Sequence, residues 1–394
     1  MMIRTSRTRT FTSISAVALL ALVSAAGCSK ASTGGSAASA PAAGASVAPS
    51  CMSSPSSSPN PATNPVGFNQ ANLTELDTSL KCALAGKSLS SVDIAMVVNI
   101  AADYWNAGET GFKAGCTALN IPSGDCTFFA PPTGVLTQQV SELETLRSQG
   151  ITGYSISAID PAAEKSAIGT DVGNGLDVLA IDSPLPGTAA ASLYLGTVNY
   201  DAGFAAGTEM KSTMPNGGKV AVLVGSLVAA NATQRIAGFE AAIAGTGISV
   251  VQTVNDNGSA STAQTDAETI VANNPDVTGL YGVYSYDGPA LAQAVTSAGK
   301  TSTIKIVCDD SDAQTLTGIS SGVISATVVQ MPYEQGYTGA LILAAEKVLG
   351  KTETMAIIKP YLASDGSTLS SGVGVITKAD LSSYQALESQ LGIS

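Results

Sequence analysis

The stretches IAMVVNIAADYWNAGETGFKAG (94–115) and VAVLVGSLVAANATQRIAGFEAA (220–242) carry one pattern twice. Each opens on an apolar run that reads as a buried strand. A polar loop follows, then a helix bearing Gly-Phe, at Gly111–Phe112 in the first copy and Gly238–Phe239 in the second. A repeated strand–helix unit implies two similar lobes instead of one long sheet. Outward from these copies, short Val/Ile/Leu-rich runs recur at 93–100, 126–131, 153–157 and 177–182. A second series stands at 193–198, 219–225, 248–254, 279–284, 304–309 and 323–330. Helical spacing fills the gaps, as in TQQVSELETLRSQG (137–150), which closes on the glycine expected just past a helix. Strands apolar throughout, alternating with helices, mean parallel sheets covered on both faces, so the fold class is α/β.

The N-terminus places the chain outside the cytoplasm. Arg4, Arg7 and Arg9 precede the apolar run ISAVALLALV (14–23), too short to span a bilayer, and then small residues and a cysteine. Ala26-Gly27-Cys28 resembles a lipoprotein cleavage and lipidation site, with Ala25 where leucine is usual. An ordinary secretory signal beside an incidental cysteine is the alternative, and either exports the mature chain. No charge occurs between Lys30 and Glu75, and Ser, Ala, Gly and Pro dominate to about residue 70. Such a segment buries too little apolar surface to offset its ordering entropy and reads as a disordered tether.

Loss of three arginines with the signal takes the formal charge from −12 to −15, which disfavours nucleic acid and anionic headgroups as partners. Histidine is absent. That removes the Ser-His-Asp mechanism, the usual neutral-pH base and the commonest zinc ligand, so neither a metal nor catalysis is expected. No strand is followed by G-x-G-x-x-G, so no nucleotide cofactor is expected either. Of the six cysteines, Cys116 and Cys126 flank a short turn, which favours a local bridge. Cys51 and Cys82 are then left for each other, and Cys308, in the strand IKIVC, is expected as a buried thiol. Sequence alone does not fix this connectivity.

In open parallel sheets ligands bind beyond the carboxyl ends of the strands. The residues there are Asp103, Tyr104 and Trp105, Ser157, Asp182 and Ser183, Asn231 and Arg235, Asn255 to Asn257, Tyr286 and Asp287, Asp309 and Asp310, and Gln330. Nearly all are aromatic or hydrogen-bonding, and Trp105 is the single tryptophan.

The succession DIAMVVN…YW…GF, QGITGYSISAID, VLAIDS, NATQRIAGF, YSYDGPALAQAVTSAGK, IVCDD and ISATVVQMPYEQGYTGALILAAEKVLGK resembles the type I periplasmic sugar-binding proteins. These are ribose/galactose/autoinducer-type receptors of ABC transporters, and the resemblance covers about 90 to 360. It implies two Rossmann-like lobes of the periplasmic binding protein-like I fold, joined by a three-segment hinge and closing on one solute. The crossings would fall near 198–199, 330–331 and Pro360. The domains would then be a signal at 1–27, tether and extension at 28–90, an N-terminal lobe at 91–198 plus 331–359, and a C-terminal lobe at 199–330 plus 360–394.

The resemblance also assigns roles. Tyr104 and Trp105 would form an aromatic platform under a sugar ring, Asp182 and Asp310 would accept hydroxyl hydrogens, Arg235 would donate, and Gln330 would sit by the hinge. Asn231, Tyr286 and Asp287 complete the candidate set. Ser183 stands where the ribose-type pattern has arginine, Tyr286 where it has asparagine and Asp309 where it has an aromatic, which moves the expected solute from ribose toward another pentose, a polyol or a less sugar-like molecule. Charge-assisted bonds to hydroxyls contribute about 1.5–3 kcal/mol each when well made. The partners implied are a small polar solute and membrane ABC permease subunits, with membrane contact through the lipid anchor alone; a monomer is expected. An exported glycoside hydrolase using the Asp182/Asp310 carboxylate pair, or a co-receptor for a membrane kinase, are the competing functions.

Overall fold

The computed structural model describes residues 49–52, 55 and 70–393, so the signal, Cys28 and most of the tether lie outside the described residues. A 3-10 turn at Pro49–Cys51 precedes α1 (Gln70–Leu84). The first lobe then alternates β1 (Ile94–Val97), α2 (Asp103–Ala118), β2 (Cys126–Phe129), α3 (Leu136–Gln149), β3 (Gly153–Ile156), α4 (Pro161–Gly173), β4 (Asp177–Ile181) and β5 (Tyr194–Gly196). The chain crosses at 197–198. It builds the second lobe from α5 (Asn199–Thr213), β6 (Gly218–Val224), α6 (Ala230–Ile243), β7 (Ile248–Asn255), α7 (Ala260–Asn273), β8 (Val277–Gly282), α8 (Asp287–Ser297), β9 (Lys305–Asp309), α9 (Ala313–Ser321) and β10 (Ala326–Val329). It recrosses at 330–331 for α10 (Pro332–Leu349), α11 (Lys351–Ile358) and β11 (Thr368–Ser370). Finally it returns for β12 (Gly374–Ile376) and α12 (Leu381–Leu391).

The two sheets have matching orders, β2-β1-β3-β4-β5-β11 and β7-β6-β8-β9-β10-β12. All pairings are parallel except β10 with β12. Strands β1, β3 and β10 are buried at every residue, as helices on both faces require. Local chemistry agrees with the elements. Asp160 caps α4 by accepting from the amides of Ala162 and Ala163, with Pro161 in the first turn, and Gly150 ends α3 in the left-handed conformation at φ 85°.

One expectation about the lobes changes. The third crossing falls at 371–373, not near Pro360, because β11 still pairs with β5 in the first sheet. Pro360 lies in a 3-10 turn whose Tyr361 is buried in the first lobe's core. The extension beyond the tether takes a definite form. From Gln70 onward it is a helix that seats Leu73, Leu76, Leu80 and Leu84 in the first lobe's core, at the three- and four-residue spacing of one helix face. Lys81 Nζ donates to the Tyr337 hydroxyl of α10 at 3.1 Å. Disulfides Cys51–Cys82 and Cys116–Cys126 are both formed, and Cys308 is a buried free thiol. The first bridge ties the 3-10 turn to α1; the second ties the end of α2 to β2. No helix among the described residues is long and apolar enough to cross a membrane.

The repeated Gly-Phe marks a repeated contact. In each lobe two helices, α2 with α10 and α5 with α6, pack backbone to backbone through glycine. A Cβ added at Gly111 would lie 1.9 Å from the Tyr333 carbonyl oxygen, and one at Gly203 would lie 1.8 Å from that of Arg235. Any side chain there must push the helices apart. Gly203→Ala should therefore destabilise the protein by about 1–3 kcal/mol, the usual range for overpacking. Gly169→Ala, in the open on α4 with nothing within 4 Å of the new Cβ, should be neutral or stabilise by up to about 1 kcal/mol. Denaturant titration of the two variants checks the contrast.

Buried acids give the fold a pH dependence. Burial, with Glu334 beside it, pushes Asp77 up to about 8. Burial pushes Glu334 and Glu164 up to about 7, and burial with Asp177 nearby does the same for Glu346. The folded chain thus holds protons that the unfolded chain, titrating near pH 4, releases earlier. That contribution is complete below about pH 4 and is lost as pH rises through about 7–8. The melting temperature should fall between about pH 5.5 and about pH 8.5, and Asp77→Asn should flatten the slope in a thermal scan across that window.

Candidate ligand-binding cleft

The carboxyl ends of both sheets face one cleft, and the aspartates that follow β4 and β9 occupy equivalent places in the two lobes. Asp182 and Asp310 are both left-handed, at φ 59° and 69°. Each donates its amide to the neighbouring strand, Asp182 to the Leu195 carbonyl at 3.3 Å and Asp310 to that of Val328 at 2.7 Å. A non-glycine residue in this conformation costs about 1 kcal/mol or more, and Asp is among the few that tolerate it. Here it turns each carboxylate off the strand end and into the cleft.

Asp182 gathers donors from both lobes. Its Oδ2 accepts from Ser157 Oγ at 2.7 Å and, across the cleft, from Asn231 Nδ2 at 3.0 Å; its Oδ1 accepts from the Tyr104 hydroxyl at 3.3 Å. Burial raises its pKa, and Arg235 with these three donors pulls it back. Burial pushes Asp310 up to about 6 against the pull of Arg235 and of Gln330, whose Nε2 donates to Asp310 Oδ1 at 2.8 Å.

Arg235, on the first turns of α6, is 2% exposed. Its Nε donates to Asn199 Oδ1 at 2.9 Å, and its Nη1 donates to the Val283 carbonyl and to Asp309 Oδ2, each at 3.2 Å. Its Nη2 has no hydrogen-bond partner among the described residues and lies 4.0 Å from Asp182 Oδ1. A buried guanidinium with one nitrogen unengaged beside a carboxylate is a donor set out for something else. Burial pushes Asp309 up to about 8 even beside Arg235. Asp309 is the one acid of the pair that faces away from the cleft, into Arg235 and the Tyr281 hydroxyl, and is neither a helix cap nor a ligand-facing group.

Trp105 does follow the strand, but it is only 2% exposed. Its indole N–H donates to Asn99 Oδ1 at 2.8 Å, and Tyr104 stands edge-on to it with ring centroids 4.8 Å apart. The ring is at once part of the first lobe's core and part of the cleft wall.

Eight of the nine sequence-selected residues, Tyr104, Trp105, Asp182, Asn231, Arg235, Tyr286, Asp310 and Gln330, line one cavity of about 30 Å³ between the lobes. Asp287 does not line it. Its Oδ2 instead accepts the amides of Val283 and Tyr284, at 3.2 and 2.9 Å, and so fixes the turn that starts α8. Asn255 and Asn257 border a separate chamber of about 260 Å³ beside the loop at 225–229. Sequence reading missed Asn99, Tyr284 and Ser285 in the wall, and Gln335, whose Nε2 donates to the Tyr104 hydroxyl at 3.1 Å. Asn99 was hidden because the strand was read through to residue 100, whereas β1 ends at Val97. Among the described residues no group of three or more Asp, Glu or Cys is arranged to hold a metal ion.

Residues 94–352 match the family described as periplasmic binding protein domain. The chain is 25% identical over 251 residues to the xylose/arabinose-binding protein XylF of Sulfolobus acidocaldarius, which spans 60% of this chain and 61% of that relative's length. The crystal structure of GanP, a glucose-galactose binding protein from Geobacillus stearothermophilus, superposes with TM-score 0.64 at 26% identity, covering 74% of this chain and 99% of the other. An ABC transporter solute binding protein from Burkholderia graminis in complex with D-arabinose gives 0.65 at 25% identity, with 76% and 99% covered. With matched sheets, a crossing hinge and a polar inter-lobe cleft already established, the chain belongs to the type I periplasmic binding protein family.

Proposed function

We propose that this chain is an extracytoplasmic receptor that captures a monosaccharide or related polyol by closure of its lobes and presents it to an ABC importer. The single observation that carries the reading is the convergence of Asp182, Asp310 and the unengaged Nη2 of Arg235 on one buried cavity walled by Tyr104, Trp105, Tyr284 and Tyr286. Carboxylates accept hydroxyl hydrogens, the guanidinium donates to hydroxyl oxygens, and aromatic rings cover apolar C–H faces. Relatives named for xylose, arabinose, glucose and galactose support the same solute class.

The mechanism follows from size. A space of about 30 Å³ holds no more than a water or two, so a sugar enters only when the lobes part about the crossings at 197–198, 330–331 and 371–373. Closing on the solute then brings Asp182 and Trp105 from one lobe against Asn231, Arg235 and Asp310 from the other. The solute stabilises the closed form by touching both. Lipidation at Cys28, with the Ser/Ala/Pro-rich segment as tether, would hold the receptor at the outer face of the membrane.

A thermal-shift screen of pentoses, hexoses and polyols tests this. A solute at 100 times its dissociation constant should add about 2.7 kcal/mol of stability and change the emission of Trp105. Asp310→Asn, which tolerates the left-handed backbone, should weaken binding by about 10- to 100-fold, the loss of one charge-assisted bond. Trp105→Phe should keep the fold and lose affinity. Recovery of altered sugar would instead favour the hydrolase, and no response to any sugar would overturn the receptor. Cys28→Ser should move the protein from the detergent phase to the aqueous phase in a partition assay.

A further inference from the structure

Next to the cavity opens a chamber of about 400 Å³ that shares Tyr104, Asp310 and Gln330 with it. Both lobes supply acid to its wall: Asp103 at the start of α2, Asp310 and Asp312 before α9, and Glu388 on α12. Among the described residues no lysine or arginine lines it. Gln330, at the passage between the two spaces, is 3% exposed; Asp310 holds its Nε2, while its Oε1 has no partner. That buried orphan acceptor is independent of the acids and asks for the same thing, a hydrogen-bond donor. Neutral hydroxyl groups donate too, but they do nothing for crowded negative charge. Burial, together with Asp310 and Asp103, pushes Asp312 up to about 7, so the acids oppose one another across the closed cleft. A cation placed among them removes that opposition.

We propose that the solute is an amine-bearing sugar or polyol, its hydroxylated ring in the cavity and its ammonium group in the acidic chamber. The inference rests on the sugar-receptor reading and narrows it. Within it, Asp103 and Asp312 determine specificity for charge and leave recognition of the ring to the cavity.

Calorimetry on the full chain would compare glucose and galactose, arabinose and xylose with their 2-amino and terminal-amino derivatives, at low and at high salt. At least one amino derivative should bind ten times or more tighter than its neutral parent, and the advantage should shrink as salt rises. Asp312→Asn or Asp103→Asn should remove that advantage and leave the affinity for the neutral parent unchanged, which also shows that the variant is folded. Neutral sugars binding as tightly as their amino derivatives would overturn this inference and leave the receptor intact. Failure of both sets to bind would overturn the receptor reading with it.

Discussion

The contact on which the cleft depends is the seating of one helix backbone directly on another through glycine. Gly203 of α5 lies against the carbonyl of Arg235, and Gly111 of α2 against that of Tyr333 in α10. These are the helices whose first turns carry Arg235 and Asn231 in one lobe and Tyr104 and Trp105 in the other. Without a Cβ the axes come as close as backbone atoms allow, and close packing leaves the helices little room to shift against each other. The ligand-facing side chains are long, so a small tilt of the helix is magnified at their tips. Rigidity at the glycine contact is therefore what lets Arg235 hold Asn199, Val283 and Asp309 at once and still present Nη2 to the cleft.

Electrostatics add a second constraint. One buried guanidinium serves Asp309 directly and faces Asp182 at 4.0 Å, while also pulling on Asp310. Isolated buried charges are expensive, and carboxylates short of cations respond by holding protons. The raised positions of Asp309 and Asp310 are that response. A solute with donors thus does more than fill space: it supplies hydrogens to Asp310, the one of the two that faces the cleft.

Much of this was legible in the sequence because burial forces apolar runs, and most of β1 to β10 announce themselves as Val-, Ile- or Leu-bearing segments between helices. The loops beyond them were legible for the converse reason, since polar groups gathered at successive strand ends have no structural need to coincide. What escaped had weak local signal. Three-residue β11 and β12 lie in a Ser- and Gly-rich stretch and pair only because the chain delivers them to a sheet edge, so the third crossing was misplaced. The apolar face of α1 is carried by leucines diluted among polar residues and becomes evident only against α10. Asp287 fell on the wrong side of the cavity boundary because neighbouring residues on a chain point opposite ways, and sequence names a position without its direction. Gln335 reaches Tyr104 from 231 residues away, beyond any local pattern.

The closed cleft also shows what a solute must overcome. Asn231 Nδ2 donates to Asp182, the Asn231 amide donates to Ser183 Oγ at 3.3 Å, and both bonds join the lobes directly. They stabilise closure with no solute taking part, and an entering hydroxyl competes for the same acceptors. The net gain per solute contact is therefore a difference between bonds of similar kind, close to the small net value of an exchanged hydrogen bond. Affinity must come from groups the protein cannot satisfy internally. Arg235 Nη2 and Gln330 Oε1 are two such groups, one donor and one acceptor, both buried and both on the cavity wall. A molecule that engages the pair removes two unmet demands at once, whereas one that merely replaces Asn231 at Asp182 gains little. If the chain is the receptor proposed above, its selectivity follows from that difference: the discriminating contacts are those with no internal substitute.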